Sequence, residues 1–122
     1  MTARMTGAEY NQKVRAAWSE KHFTGQVAEL AERCGWLVYH THDSRRSQPG
    51  YPDLTMVRDG RVIFAELKTV KGRLSAAQKL WLAALSGSES DEWKLSTMQG
   101  TSTRTVACWT PVDWPNLLGV LS

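Results

Sequence analysis

The chain is short of several things, and each shortage narrows what it can be. Cysteine is nearly absent: Cys34 and Cys108 are the only two among 122 residues. Two isolated cysteines make neither a disulfide framework nor a metal-ligand spacing, which fits a reducing cytoplasm. No run of about 18 apolar residues occurs, so no transmembrane helix is expected. The opening "MTARMTGAEYNQKVRAAW" lacks the apolar core of a signal peptide, and a cytoplasmic location is the expectation. A Gly-rich phosphate cradle is missing too, which favours a polymeric substrate over a small phosphate ester. Neither sign of charge dominates. Fifteen Lys and Arg against 12 Asp and Glu leave a net charge of +3, which permits a polyanionic partner without requiring one.

What is present suits one ordinary domain. A 42% hydrophobic content is enough for a real core, and 122 residues are too few for two domains. The six tryptophans are spread along the chain, as core or interface residues are, and do not form a base-stacking platform. Residues 1–18 read as an N-terminal arm or a short helix. Ser19 is an N-cap, and Phe23, Val27, Leu30, Ala31 and Cys34 recur at helical spacing until Gly35 stops the helix. "WLVYHTH" (36–42) is a strand, and "DSRRSQPG" a polar loop. After a hairpin over 50–68, Ser75 opens a helix to about Leu85. Residues 86–104 form a long polar loop that has room for a short irregular hairpin of its own. "TVACW" (105–109) is a buried strand, and a last helix runs from about Asp113 to Leu121. Helix, three strands, helix, strand, helix is an α/β or α+β pattern, a sheet with helices on each side.

The chemistry sits in the hairpin "GYPDLTMVRDGRVIFAELK". Asp59-Gly60 is a type I′ turn signal that fixes the register. Arg58 then faces Arg61, Val57 faces Val62, Met56 faces Ile63, Thr55 faces Phe64, and Asp53 falls opposite Glu66. Their Cβ atoms should lie about 4.5–5.5 Å apart on one face, and Lys68 shares that face because side chains alternate along a strand. Two carboxylates that close repel unless a cation lies between them. A hard divalent ion such as Mg²⁺ suits oxygen donors and keeps positions open for a phosphate. A lysine beside it can orient water and neutralise developing charge, the set that phosphodiester hydrolysis needs. Singly, each of these residues could be a surface charge. However, "VIFAEL" is apolar on both faces, and its one acid does not belong on an open surface.

Other residues carry two readings each. Glu20 is either a third acid at the site, being on the inward side of its helix, or a first-turn acid favoured by the helix dipole. Gln78 completes a Ser75-Ala-Ala-Gln78 capping box, which by itself is enough to account for it. His22, His40 and His42 lack the partners of a zinc site. His40, Ser44, Arg45 and Arg46 are candidates to contact a nucleic-acid backbone, as are Lys71 and Arg73 after the hairpin; a solvated polar surface is the alternative for each.

Pro52-Asp53 followed by Glu66-Leu67-Lys68 resembles the P-D…(D/E)-x-K signature of the PD-(D/E)XK nuclease superfamily. "GWLVYHTHDSRRSQPGYPDLTMV", "VIFAELKTVKGRLSAAQKLWLAAL" and "CWTPVDW" are similar to its VRR-NUC branch, the small stand-alone type of phages and bacteria. The resemblance implies a restriction-endonuclease-like core, a central mixed sheet flanked by helices, within a single nuclease domain at 19–122. It implies a Mg²⁺- or Mn²⁺-dependent DNA endonuclease, with Asp53, Glu66, Glu20 and the Leu67 carbonyl on the metal, Lys68 as catalytic lysine and Gln78 beside the site. Stand-alone members resemble Holliday-junction resolvases and tend to be homodimers. The 86–104 connection is longer than the family's usual one. The reading from another class is a non-catalytic nucleic-acid-binding or assembly module that keeps the nuclease fold.

Overall fold

A computed structural model of the chain describes residues 4–42, 48–87 and 93–122. Helix α1 (Gly7–Ala16) opens on a capping box between Thr6 and Glu9 but buries none of its residues. Helix α2 (Glu20–Arg33) is capped by the Ser19 side chain and buries Phe23, Val27, Ala28 and Ala31, the stripe its sequence spacing announces. It ends where Gly35 takes φ +89°, with Gly35 N–H on the Glu32 carbonyl and Trp36 N–H on the Ala31 carbonyl, a Schellman closure.

Strands β1 (Leu37–His40), β2 (Leu54–Arg58) and β3 (Arg61–Leu67) follow as an antiparallel meander. Asp59 and Gly60 have φ of 50° and 75°, the two positive values a type I′ turn demands. Arg58 pairs with Arg61, and the register runs unbroken to Leu54 opposite Ala65. Helix α3 (Ala76–Ser86) then crosses over, so that β5 (Arg104–Trp109) lies parallel to β3. Strand β4 (Thr97–Gly100) pairs antiparallel with β5 at the sheet edge. The sheet order is β1-β2-β3-β5-β4, a mixed five-stranded sheet flanked by helices. The second half of the expected polar loop is thus a strand that pairs with the final strand instead of making its own hairpin. A 3-10 turn (Pro111–Asp113) leads into helix α4 (Trp114–Leu121).

Each sheet face has its own core. Helices α2 and α4 cover Leu54, Met56, Ile63, Ala65, Leu67, Ala107 and Trp109. On the other face, α3 covers Phe64, Val106 and Cys108, with Leu82 and Trp93 packed in. Full burial of each such Leu, Ile or Phe contributes about 1.5–3 kcal/mol. The β1–β2 end of this second face is bare, leaving Leu37 76% and Tyr39 66% exposed.

One side chain ties the hairpin to both helix ends beneath it. The Arg58 guanidinium donates to the carbonyls of Cys34 (2.7 Å), Leu121 (2.9 Å) and Ser122 (3.0 Å). It lies 4.7 Å from the centre of the Trp36 ring, whose indole N–H also donates to Leu121. A cation at two helix C-termini satisfies carbonyls that the helices cannot. Arg61 only stacks on the same ring, at 5.4 Å. Arg58→Ala is expected to lower unfolding free energy by about 2 kcal/mol. Arg61→Ala is expected to cost under about 1 kcal/mol. The shift in urea midpoint at constant slope measures both.

Candidate metal centre

The site is built where β2 parts from β3. Hydrogen-bonded pairs alternate along an antiparallel ladder, so the Leu67 N–H would next seek the Pro52 carbonyl. That carbonyl instead accepts from the Thr41 hydroxyl at 2.8 Å. The Asp53 carboxylate takes its place, with Oδ2 accepting the Leu67 N–H at 2.9 Å, while the Asp53 carbonyl accepts from Thr41 N–H. Asp53 is therefore held one residue beyond the ladder at both its backbone and its side chain. No bulge intervenes, and the turn-derived register carries it to Glu66.

Glu66 is 1% exposed, an acid at the core end of an apolar strand. Gln78 Nε2 donates to Glu66 Oε1 at 3.0 Å, and the Lys68 ammonium lies 3.7 Å from the same oxygen. The two readings of Gln78 turn out to be compatible. Its backbone N–H donates to the Ser75 hydroxyl and its side-chain oxygen accepts the Ser75 N–H, which leaves the amide NH₂ free to reach Glu66. The capping box thereby presets the rotamer that meets the acid.

Burial, first of all, pushes the Glu66 carboxyl up to about 9. The rise to that value also includes the Asp53 carboxylate, which accepts a hydrogen bond from Glu66, and Glu20, against the opposing pull of Lys68. Glu20, in the first turn of α2, is also raised, by desolvation and then by Asp53, against Lys68. One carboxylate oxygen from each of Glu20, Asp53 and Glu66 lies within 4.8 Å of the other two. Were all three acids ionised, the one ammonium would leave two negative charges uncompensated. The donor set is all hard oxygen and opens on a cavity, so it fits a divalent cation that keeps some of its water.

That cavity, about 530 Å³, is lined by Glu20, Lys21, Thr24, Gly25, His40, Thr41, His42 and Asp53. His40 and His42 stack with ring centres 5.5 Å apart. Of the residues proposed from sequence, Glu20, Asp53 and His40 line this cavity, and Glu66, with Lys68 and Gln78 on it, adjoins the two acids. Leu67 lies between two of them with its side chain wholly in the core. Lys71 and Arg73 are exposed in the β3–α3 connection, outside this lining. Ser44, Arg45 and Arg46 lie outside the described residues. Lys21, Thr24, Gly25 and Thr41 were not anticipated. Lys21 and Gly25 are one turn apart and share a helix face with Glu20 and Thr24, a signal readable only once that face is known to border a groove.

In comparisons with known proteins, the VRR-NUC domain matches residues 7–97. No curated protein and no solved structure matches the chain.

The raised Glu66 carboxyl has a defined effect on stability. Below pH 4.5 the group is protonated whether folded or unfolded; between there and about 9 only the folded form keeps its proton. The metal-free protein therefore loses stability as pH rises through that window. In EDTA the melting temperature is expected to fall between pH 5 and pH 8. Glu66→Gln, which cannot ionise, should melt several degrees above wild type at the upper pH, and an unchanged melting curve there would refute the assignment.

Proposed function

The chain belongs to the VRR-NUC family, a nuclease-type domain, and on that premise we propose that it is a Mg²⁺- or Mn²⁺-dependent DNA endonuclease acting through Asp53, Glu66, Glu20 and Lys68. The observation that carries the reading is the convergence of three carboxylates with Lys68 at 3.7 Å from one of them. Such a cluster has no place in a surface that only binds DNA, because without a cation it repels phosphate. Asp53, Glu66 and Glu20, with the Leu67 carbonyl, would hold the cation, which supplies Lewis-acid activation of the phosphodiester and of the attacking water.

The chain's own groups do the rest. Lys68, largely buried and anchored on Glu66, orients the attacking water and neutralises charge that develops on the phosphate as the P–O bond breaks. Gln78 touches no reacting atom; it is a positioning residue that fixes Glu66. Leu67 N–H keeps Asp53 aimed at the same point. We take branched DNA as the preferred substrate and a homodimer as the working form, since symmetric cutting of two strands needs two sites. The bare β1–β2 face with Leu37 and Tyr39 supports a second copy there. Two free thiols, Cys34 and Cys108, suit a reducing cytoplasm.

Purified protein is expected to cut branched DNA, and duplex less readily, only when Mg²⁺ or Mn²⁺ is added. Asp53→Asn, Glu66→Gln and Lys68→Ala should each reduce cleavage by at least about 100-fold. Lys68→Ala should still bind Mn²⁺. Unchanged cutting by the Glu66→Gln protein would sink the site assignment.

A further inference from the structure

Glycine inside a helix needs a reason, because only proline is a poorer helix former. Gly25 lies mid-way along α2 with an ordinary helical backbone. Among the described residues nothing lies within 4 Å of where its Cβ would be, so no packing contact there excludes a side chain. The space it leaves open is the groove beside the carboxylate cluster. Three donors face that groove unpaired: among the described residues, the Lys21 ammonium has no ion pair and neither the His40 nor the His42 ring has a hydrogen-bond partner. Thr41 is committed to Pro52 and Thr24 to the Glu20 carbonyl, so these three are the free donors of the lining.

We propose that the Gly25 groove seats one nucleotide of the cleaved strand next to the scissile phosphate. Its sugar-phosphate approaches the bare α2 backbone at Gly25, and Lys21, His40 and His42 hold the phosphate oxygens. The groove begins at Glu20 and Asp53, two of the three acids, so a strand lying along it delivers its neighbouring phosphate to the cluster. The groove's free side chains are one ammonium and two imidazoles, groups that suit a phosphate. It therefore recognises backbone, as phosphate contacts do, and leaves sequence unread. A cavity of about 530 Å³ has the scale of a single ligand moiety, so the strand must enter it one nucleotide at a time, as it can at a junction, flap or frayed end. Naming the ligand rests on the nuclease reading; the role of Gly25 is tested apart from it.

The test is binding of a short fluorescein-labelled single-stranded oligodeoxynucleotide to the full chain in Ca²⁺, an oxygen-seeking cation. It is followed by anisotropy, with thermal melts and Mn²⁺ calorimetry on the same variants. Gly25→Ala and Gly25→Leu both install better helix formers in open space, so melting temperature should rise while DNA affinity falls, by at least about tenfold for leucine. Mn²⁺ binding should be unchanged. A merely structural glycine would move stability and binding together. Lys21→Ala should weaken binding and lower the slope of log affinity against log salt by about 0.7, the single-strand value for one phosphate contact. Wild-type affinity in Gly25→Leu, or failure of the wild-type chain to bind the strand, overturns the groove. If wild type binds the strand and Gly25→Leu does not, but no metal supports cleavage, the groove stands and the endonuclease reading falls.

Discussion

The crowding of Glu20, Asp53 and Glu66 around one lysine is the constraint from which the rest of the structure takes its sense. An acid with almost no solvent exposure, beside a second carboxylate, is costly to ionise, and the Glu66 carboxyl answers by holding its proton up to about 9. A fold tolerates this only where the surroundings over-determine the geometry. Here the Gln78 amide and the Lys68 ammonium fix Glu66, and the Leu67 N–H fixes Asp53. The strain is electrostatic, and a divalent cation is the species that relieves it.

The two ends of β2 divide the labour. At the turn end, Arg58 pins the hairpin to the C-termini of α2 and α4 through three carbonyls. At the far end the ladder is opened on purpose, with Thr41 drawing off the Pro52 carbonyl so that a side chain replaces a backbone acceptor. The entry to β2 is steadied by α3, where Gly50 packs its backbone against the start of that helix. A Cβ there would lie 2.4 Å from the Ala77 carbonyl carbon, and φ of +92° already favours glycine. Trp81 reaches back from α3 to the Pro49 carbonyl and packs on Tyr51. The helix that carries Gln78 is thus fastened to the segment that carries Asp53.

Much of this could be read before any coordinates. The Asp59-Gly60 turn dictated the register, and the register alone brought Asp53 to Glu66; both follow from local chemistry that tertiary context did not override. The helix stops at Gly35 and the caps at Ser19 and Ser75 were equally plain. Strand β4 was not, because "TMQG" is short, mostly exposed and polar, and acquires its identity only by pairing with β5. Glu20 stayed ambiguous for a different reason. A first-turn acid and a site acid have the same sequence signature, and only the approach of α2 to the hairpin separates them. The groove was unreadable because its walls come from α2 and the β1 exit, which no spacing connects.

The most direct measurement is the number of protons released when Mn²⁺ binds the DNA-free protein, from calorimetry at pH 7 in buffers of different ionisation enthalpy. If the cation takes the place of the proton shared by Asp53 and Glu66, binding releases about one proton at this pH. That release should vanish in Glu66→Gln. Binding of Mn²⁺ with no proton released, or no binding at all, would contradict the account.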